Sequence, residues 1–153
     1  MIREQADLVA YDAQGQPILV VEAKNKLGTS RNWAAQMRRN ILAHGGLPET
    51  AFFMLALPDR FYLWKDAPSQ LSPIEPTYEI DPTSLLQPYY ERLGMSPGEL
   101  SGESFELLVT SLLAETLPPR QNGATQDKPS HWLTSSGLAA AMAGGRVETE
   151  RST

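Results

Sequence analysis

The stretch Ile18-Leu19-Val20-Val21-Glu22-Ala23-Lys24-Asn25-Lys26 decides the fold of this chain. Four apolar residues in a row, three of them β-branched, read as a strand covered on both faces. Such a strand normally ends in a neutral polar turn. This one ends in Glu22 and Lys24. Side chains alternate across a strand, so these two point to the same side. A carboxylate and an ammonium are costly to bury in a core. They suit the mouth of a sheet, where a site is built.

The preceding residues 5–12, QADLVAYD, make the first strand, with Asp7, Val9 and Tyr11 on one face. Residues 13–16, AQGQ, make a tight connection in which Gly15 takes a positive φ. Pro17 opens the second strand, where a missing donor is tolerated. A turn centred between Gln14 and Gly15 opposes Val9 to Val20 and Asp7 to Glu22. Directly opposed residues have Cβ atoms about 5 Å apart. The hairpin therefore gathers Asp7, Glu22 and Lys24 on one face at one end.

After a turn at 27–30 with Ser30 as N-cap, RNWAAQMRRNILAHG reads as a helix. Trp33, Ala34, Met37 and Ile41 form its apolar stripe, Arg38 and Arg39 point outward, and Gly45-Gly46 ends it. The run AFFMLAL at 51–57 is a second buried strand, parallel to the first through a right-handed crossover. Pro58-Asp59 is a turn, and RFYLWK at 60–65 is a further strand near the sheet edge. Asp81 caps a helix that starts at Pro82 and runs to Leu93. Another helix, about 103–117, presents Phe105, Leu108, Val109, Leu112 and Leu113 on one face.

The expected organisation is an α/β core at 1–66 with a mixed sheet of about four strands and flanking helices. A Pro-rich linker at 67–80, a helical extension at 81–119 and a disordered tail at 120–153 follow, with a short helix at 138–143. The chain has 153 residues and 41% hydrophobic content, enough for one core. It has no cysteine, so disulfides and thiolate metal sites are excluded. With no signal-peptide pattern and no stretch long enough to span a bilayer, the expected setting is cytoplasmic, without membrane contact. The net charge of −5 is unevenly spread. Residues 1–65 carry 8 Lys and Arg against 6 Asp and Glu, whereas residues 66–153 carry 5 against 12. The segment around the Glu-Ala-Lys strand is thus mildly basic.

Two neighbouring carboxylates repel unless something neutralises them. A divalent cation does so, and an all-oxygen donor set favours Mg²⁺, Mn²⁺ or Ca²⁺ over zinc. The Ala23 carbonyl is a further candidate ligand beside Asp7 and Glu22. Lys24 is placed to orient a water or to offset charge developing on a phosphorus centre. The bland alternative is a solvated strand end with a cross-strand ion pair.

The segment ADLVAYDAQGQPILVVEAKNK resembles the core of the PD-(D/E)XK nuclease superfamily, the restriction-endonuclease-like fold. On that match Asp7 takes the Asp position, Glu22 the acidic position and Lys24 the lysine position. Several such families carry a Gln early in the following helix, which Gln36 matches; where some add a Tyr one turn later, this chain has Asn40. The resemblance implies Mg²⁺- or Mn²⁺-dependent phosphodiester hydrolysis of nucleic acid, DNA first, with Asp7, Glu22, Lys24 and Gln36 as catalytic residues. The family's usual first helix, often bearing an acidic residue, is absent. The helix from Gly102 is a candidate to fill that place in a permuted order, with Glu103 or Glu106 as an accessory carboxylate. A second copy or a partner chain is the other candidate. The alternative function is a catalytically inactive nuclease-fold module that binds nucleic acid or protein in a larger assembly.

Overall fold

The computed structural model of the chain describes residues 7–44, 47–68, 72–96, 99–116, 132 and 135–149. Ten elements follow in the order β1 (Leu8–Tyr11), β2 (Pro17–Ala23), α1 (Arg31–Ala43), β3 (Phe52–Leu57), β4 (Arg60–Lys65), β5 (Tyr78–Ile80), α2 (Thr83–Leu93), α3 (Gly102–Thr116), α4 (Leu138–Ala141) and β6 (Arg146–Thr149). The class is α/β. One open mixed sheet has the strand order β5-β4-β3-β2-β1-β6. It has six strands, not the expected four or so. The additions are β5, from the Pro-rich stretch, and β6, from the Gly- and Ser-containing C-terminal stretch; each pairs along an edge of the sheet.

The central strands form for the reasons their sequences announce. β3 is buried at every position, and β2 is buried from Leu19 to Glu22. β2 and β3 are parallel, with Val21 opposite Met54 and Glu22 opposite Leu55. All other neighbours are antiparallel. β1 pairs with β2 as Leu8–Val21, Val9–Val20 and Ala10–Leu19. The register slips between Ala10 and Tyr11, at the turn end of the hairpin, so the end that carries Asp7 and Glu22 keeps its alignment. Gly15 in the connecting turn has φ of 81°.

Alternation along the strands feeds two cores. Val9, Val20, Phe53, Leu55, Leu57, Tyr62 and Trp64 face α1, where Ala34 is buried and Trp33, Met37 and Ile41 pack alongside. Leu8, Leu19, Val21, Met54, Phe61 and Leu63 face α2, α3 and α4. There α3 contributes Phe105, Leu108, Val109, Leu112 and Leu113, the five residues its spacing predicts. β4 lies one strand inside the edge, because β5 pairs with it.

Helix ends follow local chemistry. The Ser30 hydroxyl accepts the Trp33 N–H at 3.0 Å. α2 starts at Thr83 with Pro82 at its N-cap position, one residue later than expected, and Asp81 just outside it accepts both the N–H and the hydroxyl of Thr83, at 3.0 and 2.6 Å, which holds its carboxyl below the usual carboxylate range. α2 ends at Leu93, as the sequence predicts, and Gly94 follows in the left-handed region. His44 caps α1, with Nδ1 2.8 Å from the Asn40 carbonyl. The Gly45-Gly46 stop and the first residues of the predicted first strand lie outside the described residues. β6 approaches β1 closely at Gly145, where a Cβ would stand 1.8 Å from the Tyr11 carbonyl oxygen.

Arg38 corrects the sequence reading. It is not an outward-facing cation but is buried, with 4% of its surface exposed. Its guanidinium lies 5.6 Å from the ring centres of both Phe53 and Trp64, which themselves meet edge to face. Nη2 donates to the carbonyls of Ala67 at 3.4 Å and Pro68 at 3.2 Å. Burial lowers its pKa from the usual guanidinium value. Two aromatic faces and two carbonyls compensate the desolvated charge. The Trp64 indole also donates to the Ile74 carbonyl, at 2.8 Å, so α1 and β4 are tied to Ala67, Pro68 and Ile74. Replacement of Arg38 by Lys keeps the charge but loses the planar fork. Urea denaturation is expected to show a loss of about 1–3 kcal/mol, and an unchanged midpoint would mean that the guanidinium does not hold this layer.

Candidate functional site

The parallel strands β2 and β3 end at the same side of the sheet, and the antiparallel β1 begins there. Asp7 precedes β1, and Glu22 is the penultimate residue of β2. Alternation puts Asp7 on the face of Val9 and Glu22 on the face of Val20, the α1 side. Their placement is reciprocal. The Glu22 carboxylate (Oε2) accepts the Asp7 backbone N–H at 3.1 Å. The Asp7 carboxylate (Oδ2) accepts the Ala23 backbone N–H at 2.8 Å. Each side chain thus grips the backbone of the opposing strand. Glu22 is buried, and Asp7 and Lys24 are half-buried.

Lys24 extends the pairing past the end of β2, its N–H donating to the Ala56 carbonyl of β3 at 3.0 Å. The loop from Asn25 to Ser30 is then pinned along its length. The Asn25 amide donates to the Leu100 carbonyl, just ahead of α3. The Gly28 N–H donates to Asp59 Oδ2 at 3.1 Å, and Thr29 Oγ1 is 2.9 Å from the Tyr62 hydroxyl. Asn25, Asp59 and Thr29 are functional supports that sequence reasoning missed. Their signal lies in the tertiary partners, not in local spacing.

Other predicted residues stand elsewhere. Gln36 is exposed, two residues from both Ala34 and Arg38, which are buried. At about 100° per residue it stands roughly opposite that buried edge, so it is turned away from the sheet carrying the carboxylates. Glu103 is exposed in the first turn of α3, while Glu106 is buried on it. Among the described residues no three His, Asp or Glu side chains gather into a metal-holding group, so Asp7 and Glu22 stand as a pair without Glu106 as a third ligand. Arg31 is occupied by the acidic edge: it lies 3.3 Å from Glu75 and 3.5 Å from Glu79, and it donates to the Pro76 carbonyl at 2.7 Å. Arg39 is 3.3 Å from Asn40 Oδ1. No described helix is long and apolar enough to cross a membrane.

No family model, curated protein or solved structure matches the chain significantly. What the site can do therefore rests on its own geometry.

The reciprocal bonds make a distinction between charge and acceptor. Asp7→Asn keeps an oxygen for the Ala23 N–H and removes one of two neighbouring charges. Asp7→Ala orphans that N–H. Urea unfolding in a chelating buffer is expected to show Asp7→Ala less stable by about 1–2 kcal/mol, with Asp7→Asn at or above the parent value.

Proposed function

We propose that the chain is a divalent-metal-dependent phosphodiester hydrolase acting on nucleic acid, with DNA as the substrate that its likeness to PD-(D/E)XK nucleases implies. The observation that carries this reading is the interlocked pair Asp7 and Glu22 at the common end of β1, β2 and β3, with Lys24 two residues on. Two carboxylates held in place by backbone N–H groups form a preorganised hard-oxygen donor set. Mg²⁺ accepts such a set because it retains several waters of its own. Asp7, Glu22 and the Ala23 carbonyl would hold Mg²⁺ or Mn²⁺, which supplies positive charge to phosphate oxygens and acidifies a bound water.

The chain's own residues supply the rest. Lys24 follows Glu22 on the same face, and its ammonium donates to a water or a phosphate oxygen. Lys26 is exposed on the same loop and serves as a phosphate contact. Arg31 and Arg38 are committed to the fold and take no part. The Asn25–Leu100 bond places the start of α3 beside the end of β2. That supports the permuted restriction-endonuclease-like arrangement, in which α3 covers the sheet without help from a second chain. Gln36, facing away, is given no role.

A second reading has its own support. The pair lacks a third carboxylate among the described residues, and the arginines of α1 are engaged, as in a module that keeps the fold for binding alone. Metal affinity separates the two. Calorimetric titration with Mn²⁺ is expected to show one specific site in the parent and none in Asp7→Ala or Glu22→Ala, with circular dichroism unchanged. Lys24→Ala is expected to retain the metal and lose at least about 100-fold in Mg²⁺-dependent cleavage of plasmid DNA. Full cleavage by Glu22→Ala would end the nuclease reading. Salt-sensitive DNA binding without metal or cleavage would favour the module.

A further inference from the structure

A groove of about 420 Å³ opens between the end of α2 and α3, on the side of the sheet away from α1. Tyr89, Leu93, Met95, Leu100, Leu107 and Leu108 supply most of its wall, and Leu100 and Leu108 are buried beneath it. Among the described residues four large apolar side chains are exposed. Three of them, Leu93 at 53%, Met95 at 37% and Leu107 at 62%, stand on this groove. Scattered exposed leucines are ordinary, but a cluster around a concave apolar surface marks a place of contact. The outer face of α3 carries Glu103, Ser104, Ser111, Ala114 and Glu115, all polar or small, and Leu107 is the one large apolar residue among them. Ser104 and Ser111, one turn to either side of Leu107, are short enough to let another helix approach it closely.

Charge restricts the occupant. Glu103 lies four residues before Leu107 and Glu115 four after Ser111, so carboxylates stand at both ends of the α3 wall, roughly 18 Å apart along the helix. The Tyr89 hydroxyl donates to Glu115 and holds it beside the groove. Burial and that bond push the Tyr89 pKa up to about 12, so the phenol stays a donor. Glu99, just before Leu100, adds a third carboxylate. Arg92 is the one cation among the described lining residues, and it is stacked on Tyr89, 4.8 Å from the ring centre. The carboxylates repel phosphate, which disfavours nucleic acid or an anionic lipid surface. A second copy would bring the same carboxylates against themselves. Residues 117–131, which follow α3, hold one large aliphatic side chain, Leu117, too few for the anchors such a groove takes. We propose that the groove is a docking site for a basic amphipathic helix of another protein, with apolar anchors seated on Leu93, Met95 and Leu107 and a Lys or Arg near each end facing Glu103 and Glu115. Such a helix needs about 12 residues to span the two carboxylates, with anchors at i, i+3 or i+4, and i+7. Met95 is unbranched and adapts its shape to them. Docking here requires neither metal nor catalysis at Asp7 and Glu22.

Fluorescence anisotropy with the full chain and labelled acetyl-LKKLLKLLKKLLKL-amide, at about 0.15 M salt, tests it. The controls are the same peptide with Glu in place of Lys, and a peptide of the same composition whose Leu residues share no helical face. Saturable binding of the basic helix is expected, at least about tenfold tighter than either control. Leu93→Ser and Leu107→Ser are each expected to weaken it by at least about tenfold. Glu103→Gln is expected to weaken it by about threefold, and Arg92→Gln to tighten it. Both leucines are exposed, so the thermal midpoints of their variants are expected to stay near that of the parent, which separates lost docking from lost folding. No saturable binding, equal affinity in the parent and both leucine variants, or tighter binding of the Glu peptide would overturn the proposal. So would binding to phosphatidylcholine vesicles that Leu107→Ser abolishes, in place of peptide binding, which would assign the groove to a membrane.

Discussion

The constraint on which this structure depends is that β2 is satisfied on four sides. β1 and β3 take its two backbone edges, α1 covers one face, and the α2–α3 layer covers the other. A strand so enclosed has one workable register, because a slip of one residue would exchange the residues of the two cores. Val20 would leave the α1 side, and Val21 would enter it. The same register determines where Glu22 emerges. Its position opposite Asp7 is therefore a by-product of core packing, fixed by apolar residues that never touch a ligand. The reciprocal carboxylate-to-backbone bonds then close the open end of the hairpin, where the regular ladder stops.

How legible this was depended on how local each signal is. The hairpin register follows from a short turn and a period of two, and Asp7, Glu22 and Lys24 fell out of it directly. The α3 core face followed from helical spacing. At Arg38 the charge hides the helical period. It sits four residues after Ala34 and three before Ile41, squarely on the buried stripe. What permits a cation there is the Phe53–Trp64 pair and the carbonyls of Ala67 and Pro68, all remote in sequence. Gln36 shows the converse: a residue type matched a pattern while its helical phase turned it outward. β5 and β6 are short strands of three and four residues. They carry no period of their own, and only the edges waiting for them make them strands.

The loop that follows Lys24 joins otherwise separate parts of the molecule. Asn25 reaches the start of α3, Gly28 reaches the β3–β4 turn, and Thr29 reaches β4. Ser30 then starts α1. A polar loop at the end of a buried strand would ordinarily be among the more mobile parts of a domain. Here successive residues are spent on anchoring it, each to a different element.

The pairing of β6 with β1 joins Leu8 to Thr149 and Tyr11 to Arg146, nearly the whole described chain apart. During synthesis the hairpin and the β2–α1–β3 crossover emerge before the strand that covers the outer edge of β1. Until then β1 presents an uncovered row of backbone donors and acceptors, the kind of edge that recruits stray strands. Long-range closures of this sort are slow, because loop entropy is lost before the contact repays it. The strand that leads out of Asp7 is thus made well before the strand that completes its outer edge, and until then the nascent chain is vulnerable at the edge nearest its candidate site.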